Sequence, residues 1–257
     1  SIAHPYAGAR AALATMHGKG RAIAPPLLRG AGLEVITPPG LDTDVLGTFT
    51  GDVPRAGSME EAAHAKARMA MAATGLPLAL ASEGAYGPHP MVPFLAQGLE
   101  LLLFCDQTRG IEVIERLPDP RPRYAQAEVE CAGDLRPFLA AIRFPRTCVT
   151  VSAGPYARPI ARAVADAQHL AGAVDTAARM SPTGRAFVQS DMRADRNPRR
   201  MALIRALAAR MAQRLATRCP ACDCPGFGHT GTLAGLPCAD CGTPTARARG
   251  EIHSCPA

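Results

Sequence analysis

The chain has 257 residues, of which 47% are hydrophobic, so it is long enough for one domain with a sizeable core and a smaller module. No run approaches the roughly 18 uninterrupted apolar residues of a membrane helix, and residues 1–10 lack the basic-then-apolar order of a signal peptide. These features argue against a membrane protein and predict a cytoplasmic location. The formal net charge is +6 at pH 7, and eight arginines fall between Arg193 and Arg218, a composition that suits phosphate-bearing partners.

The first part of the chain predicts alternating strands and helices. In chain order we expect a strand over 11–15, a helix over 21–28, a strand over 33–37, a helix over 59–74 and a strand over 78–81. Pro25 and Pro26 predict an interruption of the first helix. Ser58 and Glu61 have the spacing of a capping box, which predicts the start of the second helix. The strand over 78–81 is expected to open into a Gly- and Pro-rich loop that contains Glu83 and His89.

The second part of the chain predicts a hairpin followed by further strands and helices. Strands over 99–105 and 111–116 are joined by five residues, a length suited to a hairpin. A strand over 147–152 and alanine-rich helices over 157–180 and 201–217 follow. Asn197 and Pro198 fit the N-cap and first position of the last helix. The order predicts an α/β fold over residues 1–217, with helices flanking one mixed, twisted sheet.

Two Cys-x2-Cys pairs, separated by fifteen residues, predict a zinc ribbon over residues 218–257. Four thiolates complete a tetrahedron, so we expect a structural Zn²⁺ without an open coordination position. The expected ligands are Cys219, Cys222, Cys238 and Cys241. Cys224 and Cys255 remain as alternatives that could replace one of these ligands or stay free.

The two lysines are the most informative basic residues, because every other strongly basic side chain is an arginine. Lys19 follows His17 and Gly18 in a turn between a predicted strand and a predicted helix, where backbone amides and an ammonium can bind an anion. Lys66 lies on the helix over 59–74. An ordinary strand-helix turn and a solvated lysine are the structural alternatives.

Three acidic residues and their neighbours are candidates for catalysis. Glu83, with His89, is predicted at the end of a buried strand, where α/β sheets place their ligands. Glu61 begins the second helix, and its alternative role is that of the capping carboxylate. Asp191 opens a polar segment that could line a phosphate or carboxylate pocket, with the alternative of a capped and solvated helix entry.

Several motifs spread over nearly the whole chain resemble a bacterial domain family of unknown function. They are His17-Gly18-Lys19, Ile23-Ala24-Pro25, Thr48-Phe49-Thr50-Gly51, Ser82-Glu83-Gly84, Gly87-Pro88-His89-Pro90, Asp191-Met192-Arg193-Ala194 with Asn197-Pro198, and the cysteine pairs. This resemblance implies no particular activity.

Residues 11–85 are remotely similar to the inosine-triphosphate pyrophosphatases and the Maf nucleotide pyrophosphatases. Leu13-Ala14-Thr15 leading to Gly18-Lys19 resembles their phosphate-binding turn, although it is one residue shorter and has His17 where an asparagine is usual. The segment 58–67 resembles their helix with a glutamate and a lysine. The resemblance implies a pyrophosphatase-like fold. The acidic pair of those enzymes is replaced by Ala81-Ser82, so the fold is expected to carry over more readily than the hydrolysis.

The leading hypothesis is therefore a Mg²⁺-dependent enzyme that acts on a nucleotide or another phosphorylated small molecule, with a nucleotide pyrophosphatase as one case. The predicted catalytic residues are Glu61, Glu83 and Asp191, of which the two glutamates would hold the metal. The predicted substrate-binding residues are His17, Lys19, Lys66, His89, Arg193, Asn197 and Arg200.

Two alternatives remain open at this level. The arginine-rich segment and the ribbon could instead bind RNA or DNA without catalysis, although four tyrosines, seven phenylalanines and no tryptophan leave little for base stacking. The ribbon could also be a protein-interaction module. The oligomeric state is left open by the sequence, with a homodimer as one option.

Overall fold

The computed structural model describes residues 4–41, 57–88, 91–92 and 95–257. The described helices are α1 Gly20–Ala31, α2 Met59–Thr74, α3 Arg136–Ile142, α4 Ala167–Met180 and α5 Pro198–Ala216. The described strands are β1 Arg10–Ala14, β2 Glu34–Ile36, β3 Leu78–Pro88, β4 Ala96–Asp106, β5 Ile111–Asp119, β6 Gln126–Val129, β7 Val149–Ser152, β8 Ala161–Val164, β9 Ala186–Ser190, β10 Gly228–Ala234 and β11 Ala248–Ser254.

The larger sheet is mixed and has the strand order β2-β1-β3-β4-β5. β1 runs parallel to both β2 and β3, whereas β3, β4 and β5 form an antiparallel meander. One face packs against α1 and α5 through residues such as Leu13, Leu80 and Phe104. The other face packs against α2 through small residues such as Ala12 and Ala81. The expectation of a mixed sheet flanked by helices is confirmed.

A second sheet was not predicted from the sequence. It is antiparallel, has the order β6-β9-β7-β8, and buries its apolar side chains with α3 and α4. The helix expected over 157–180 is wrong in its first part, because 161–164 forms β8. Asp166 then begins α4 by accepting a hydrogen bond from the backbone of His169 at 2.8 Å. Alanine content alone therefore placed the helix start too early.

Two further local expectations are corrected. α1 continues through Pro25 and Pro26, with Ile23 and Leu27 fully buried on the same helix, so core packing outweighs the backbone hydrogen bonds that the prolines remove. The segment 82–88 is a strand and not a loop, because β3 pairs with β4 along its whole length, from Leu78 opposite Asp106 to Pro88 opposite Ala96.

The chain leaves the larger sheet after β5, forms the second sheet, and returns through residues 191–197 into α5. α5 lies against α1, and the contact is close because a Cβ on Gly30 would lie 2.9 Å from the Cβ of Ala212. After α5 the chain forms the two-stranded ribbon β10-β11. Among the described residues, none of the helices combines the length and apolar character needed to span a bilayer.

Candidate functional site

The candidate site lies beside β1, at the point in the larger sheet where the helical connections pass from one face to the other. The chain passes from β1 through α1 on one face to β2, and then through α2 on the other face to β3, on the opposite side of β1. β1 ends at Ala14, which pairs with Ala81, while β3 continues for seven more residues. The carboxyl ends of β1 and β3 therefore lie at the position where open α/β sheets bind their ligands in a crevice. We call this position the switch crevice.

Lys19 reaches into the switch crevice from the turn after β1. Its ammonium donates hydrogen bonds to the carbonyl oxygen of Ser82 at 2.8 Å and to the Ser82 hydroxyl at 3.4 Å. Burial of the ammonium lowers its pKa from 10.5 to about 8; the carboxylates of Glu100 and Glu83 oppose this shift, and the cations Arg200 and Lys66 add to it. Lys19 thus lies within electrostatic reach of four other charged side chains.

Lys66 and Glu83 form an ion pair on the α2 side of the sheet. The Lys66 Nζ lies 2.5 Å from the Glu83 Oε1, and the two side chains are 12% and 3% exposed. Strand alternation explains the position of Glu83, because Ala79 and Ala81 of the same strand pack against α2. The placement of Glu83 on a paired strand holds its carboxylate more rigidly than the expected loop would.

Glu100 and Arg200 form a second ion pair on the opposite face. Glu100 Oε1 accepts hydrogen bonds from Arg200 Nε at 2.6 Å and from the Tyr86 hydroxyl at 2.8 Å, and the guanidinium carbon lies 4.8 Å from the Tyr86 ring centre. Burial and the Glu100 carboxylate raise the pKa of Tyr86. Gly84 lies opposite Glu100 in the strand register, and a Cβ there would lie 2.4 Å from Arg200 Nη2. Only glycine leaves room for this pair.

Among the described residues, the charged groups that act most strongly on the Lys19 ammonium are unequal in number. They are the cations Arg200 and Lys66 and the carboxylates Glu83 and Glu100, so that, with Lys19 itself, three cations face two carboxylates. A buried cluster with one surplus positive charge favours the binding of an anion, since burial of an uncompensated charge is unfavourable. We call these five residues the charge cluster.

The segment between β9 and α5 joins the charge cluster through backbone and side-chain contacts. Arg200 donates a hydrogen bond to the carbonyl oxygen of Met192. Asp191 is buried and accepts from the Arg193 side chain at 3.0 Å (Nε) and 2.5 Å (Nη2), and this pair raises the pKa of Arg193. Both residues line a cavity of about 130 Å³ together with Tyr86, so the cavity borders the charge cluster.

Two predicted substrate-binding or catalytic residues have structural contacts instead. Asn197 is fully buried, accepts from the Arg200 backbone at 3.3 Å and donates to the Met192 sulfur at 3.5 Å, as expected of an N-cap. The Glu61 carboxylate accepts from the backbone of Ser58 at 2.6 Å, which lowers the pKa of Glu61 and confirms the capping box. Neither contact brings these side chains to Lys19.

The two predicted histidines are placed differently. His17 is partly buried and lies in the same turn as Lys19. His89 falls outside the described residues, as does the segment 48–51 that contributes to the family resemblance. Their predicted roles stay predictions.

Sequence analysis missed three members of this site. Glu100 is the one acidic residue within the apolar run 99–105, a signal that could have marked it as a buried, paired carboxylate. Ser82 and Tyr86 fall in a segment whose glycines and prolines predict a loop, but in the structure both lie on β3. The β3-β4 register, which the sequence does not give, brings Ser82 and Glu100 close to Lys19 and brings Tyr86 to Glu100.

The arginine-rich segment is largely neutralised by carboxylates. Seven of the eight arginines between Arg193 and Arg218 form ion pairs, and only Arg205 has no such pair among the described residues. Arg199 pairs with buried Asp119, and Arg210 and Arg214 share Glu115. The segment therefore offers less free positive charge than its composition indicates.

The ribbon brings together three cysteines that could hold a metal ion. The sulfur atoms of Cys219, Cys222 and Cys255 all lie within 4.8 Å of one another, and those of Cys222 and Cys255 are 3.5 Å apart. Backbone amides of Ala221 and Cys222 donate to the Cys219 sulfur and lower its pKa. Tetrahedral zinc with Zn–S bonds of about 2.3 Å requires sulfur separations of this order, so these donors fit the metal.

The structure does not bring Cys238 and Cys241 to the first cysteine pair. In the antiparallel ribbon, Gly228 pairs with Ser254 at one end and Ala234 with Ala248 at the other. The first pair precedes β10, whereas the second pair follows it and lies at the opposite end. Cys255 follows β11 directly and lies next to the first pair. The cysteine spacing predicts the second pair at this position, and that prediction is wrong.

The profile of a family described as Domain of unknown function (DUF6671) matches residues 66–257, which is more than half of the chain. The chain therefore belongs to this family, and the expectation of a family of unknown function is confirmed. The match begins at Lys66 and includes β3, α5 and the ribbon. No curated protein matches the chain.

Proposed function

We propose that this member of the family is a metal-dependent enzyme that binds the phosphate groups of a nucleotide or another phosphorylated small molecule in the switch crevice. The observation that carries the proposal is the surplus positive charge of the buried charge cluster around Lys19. An arriving phosphate would compensate this charge. Its negative charge would also oppose the effect of burial, which lowers the pKa of Lys19.

The two lysines would act as the phosphate ligands. Lys19 lies at the N-cap of α1, and the positive end of a helix also favours an anion. Lys66 is held by Glu83 in the absence of a ligand and can turn its ammonium toward a phosphate with a small side-chain rotation. The remote resemblance to nucleotide pyrophosphatases supports this assignment, because both lysines fall on the matching segments.

Glu83 is the carboxylate that fits a Mg²⁺ ion. Magnesium in phosphate sites is commonly bound by one or two carboxylates, with the other positions taken by water and by the phosphates themselves. Glu83 is buried next to Lys66 on a strand, so its carboxylate is held in place. Such an ion would polarise the phosphoryl group. Glu61 is held in its capping box, so we assign the metal to Glu83 and not to the pair of glutamates.

The cavity beside Asp191 and Arg193 would receive the end of the substrate that is remote from the reacting phosphate. Its volume of about 130 Å³ suits one small polar group, and Tyr86, Thr150 and Gln189 line it along with that ion pair. A cavity with both donors and acceptors selects by hydrogen bonding rather than by apolar area.

We further propose that Cys219, Cys222 and Cys255 supply three of the four ligands of a structural zinc ion. The donor set and the amide hydrogen bonds to sulfur favour zinc over magnesium, which prefers oxygen ligands. Thiolate sites of this kind are typical of chains kept in a reducing compartment, which agrees with the predicted cytoplasmic location.

The test is a hydrolysis assay on purified protein with Mg²⁺ and a panel of nucleotides, in which released phosphate and pyrophosphate are measured. We expect release for at least one nucleotide, and its loss in Lys19→Met. Arg205→Met is the matched control, because it removes an exposed positive charge outside the cluster. The proposal is wrong if no nucleotide is hydrolysed and Lys19→Met leaves the binding of phosphate and nucleotides unchanged.

The same protein separates this proposal from nucleic-acid binding. If the arginine-rich segment tracked a phosphate backbone, affinity for RNA or DNA would fall steeply with salt, by roughly one power of the salt concentration for each phosphate contact. Because seven of its eight arginines are paired with carboxylates, we expect a shallow slope.

A further inference from the structure

The second cysteine pair lies in a turn built like the metal-binding turn of the first. The backbone amide of Cys219 donates to the carbonyl oxygen of Cys224 at 2.8 Å, and that of Cys238 donates to the carbonyl oxygen of Thr243 at 2.9 Å. In both turns the donor and the acceptor are five residues apart. The flanking residues of each turn also form equivalent isolated bridges, 218 with 225 and 237 with 244. The ribbon therefore contains two copies of one turn.

The match extends to the backbone conformation. Asp223 and Gly242 occupy the same position of the two turns, both with a left-handed φ, of 59° and 72°. The backbone amide of Asp223 donates to the carbonyl oxygen of Cys219 at 2.9 Å, and that of Gly242 donates to the carbonyl oxygen of Cys238 at 3.0 Å. Few non-glycine residues adopt this conformation, so the contacts of the turn, and not only local backbone preference, hold Asp223 in it. Both turns hold a cysteine pair in the arrangement of a metal-binding knuckle.

The second pair has no further metal ligand beside it in the part of the chain that the structure describes. It lies at the end of the ribbon remote from the first cluster, and six residue steps along β10, at about 3.3 Å each, place the two ends roughly 20 Å apart. Among the described residues, no third histidine, cysteine or carboxylate joins Cys238 and Cys241 in a metal-binding group. A zinc ion bound there would have two of the four ligands it requires.

The surroundings of the second pair favour contact with another protein surface. Cys241 is exposed, and Leu236, two residues before Cys238, is 42% exposed. Leu233 at the same end of the ribbon is 52% exposed. These leucines lie beside the partly buried Cys238 and the exposed Cys241 and form a small apolar border around an incomplete site. Contact with a second surface would cover this border.

We propose that Cys238 and Cys241 bind a zinc ion together with the same two residues of a second copy of this chain. A twofold axis through the metal would bring two equivalent pairs together and supply the four thiolates of a closed tetrahedral site. Each thiol releases its proton as it binds the metal, so the assembly depends on zinc and on pH. The leucines of the two copies would pack around the ion. This inference is independent of the proposed phosphate chemistry.

The test combines oligomeric mass with zinc content on the full chain, kept under a reductant that does not bind metal. We expect a dimer with zinc, and monomers after chelation that dimerise again when zinc alone is added. In the double variant Cys238→Ser, Cys241→Ser we expect a monomer that has lost about half a zinc ion per chain, because two chains share the ion.

Cys131→Ser is the control, since Cys131 is exposed and lies in the part of the chain that forms the second sheet. It should keep both the dimer and the zinc content. Leu236→Ser should weaken the dimer while leaving every cysteine in place, and it serves if the double variant does not fold. A zinc-loaded wild-type monomer, a dimer that persists in the double variant, or the loss of a whole zinc ion per chain would each overturn the proposal.

Discussion

The substitution Lys19→Met is expected to abolish phosphate binding without destabilising the free protein. The fall in the pKa of Lys19 from 10.5 to about 8 corresponds to roughly 3 kcal/mol by which the charged ammonium disfavours the folded state at pH 7. Loss of the hydrogen bonds to Ser82 acts in the opposite direction, by about 1–3 kcal/mol. The free energy of unfolding should therefore stay the same or rise by up to about 2 kcal/mol.

The pH dependence of stability gives a sharper measurement. Below pH 8 the ammonium is protonated in both the folded and the unfolded chain, so its unfavourable contribution is constant. Between pH 8 and 10.5 the unfolded chain binds more protons than the folded one, so the contribution of Lys19 to stability rises with pH. Relative to Lys19→Met, the wild-type protein should gain roughly 2 kcal/mol between pH 7 and pH 10.

Urea denaturation at the two pH values measures both quantities, and titration calorimetry with inorganic phosphate or a nucleotide measures binding. For the stability measurement, Lys66→Met is the matched control, because Lys66 is paired with Glu83 at 2.5 Å. Its removal leaves that buried carboxylate without its lysine and should cost about 3 kcal/mol. The reasoning fails if Lys19→Met loses more than about 2 kcal/mol at pH 7, or if its stability follows pH as the wild type does.

The other predictions concern single members of the site and the ribbon. Glu83→Gln should lower kcat/KM by about a hundredfold in the presence of Mg²⁺. Glu61→Gln should lower the Tm slightly and keep the activity. An equal loss of kcat/KM in both variants would show that Glu61 belongs to the catalytic site. Arg200→Met should cost about 3–5 kcal/mol by urea denaturation, because it leaves Glu100 buried without its partner, and a loss below about 1 kcal/mol would contradict the ion pair. Cys255→Ser should remove most of the zinc bound at the first cluster, as measured by metal analysis, and an unchanged zinc content would show that Cys255 is not a ligand.

Local features were predictable from the sequence because the interacting residues are close together in it. The capping box of Ser58 and Glu61 and the N-cap Asn197 each join residues three positions apart, and both are confirmed. The hairpin between β4 and β5 follows from a short connection between two apolar runs. In each case the pattern and the contact lie within one turn or one hairpin.

The charge cluster was only partly predictable, since its contacts are distant in sequence. Lys19 and Lys66 stood out because they are the only lysines, but Glu100 meets Arg200 across a separation of one hundred residues. That contact depends on the β3-β4 register and on the return of the chain into α5. Neither is encoded in a local motif. The second sheet was missed for a related reason, because its short strands have little periodicity and form a core only together.

The cysteine spacing illustrates a different limit. Two Cys-x2-Cys pairs separated by fifteen residues fit one tetrahedral site, provided that the chain between them returns to its starting point. Here that chain contains the single strand β10, which carries the second pair to the far end of the ribbon. The partner of the first pair is then the residue that follows the returning strand, Cys255. Ligand spacing states which residues can bind a metal, and strand topology decides which of them meet.

Helix α5 connects the charge cluster to the ribbon and explains why the two can respond differently to metal loss. Arg200 in its first turn is fixed by Glu100, and Arg214 in its last turn donates to the carbonyl oxygens of Gly226 at 3.1 Å and Ile114 at 3.0 Å. The two arginines are fourteen residues apart, or about 21 Å along the helix. Removal of zinc would loosen the first cysteine turn and with it the contact at Gly226. The first turn of α5 keeps its own ion pair and its core packing, so chelation should lower thermal stability more than it lowers phosphate affinity.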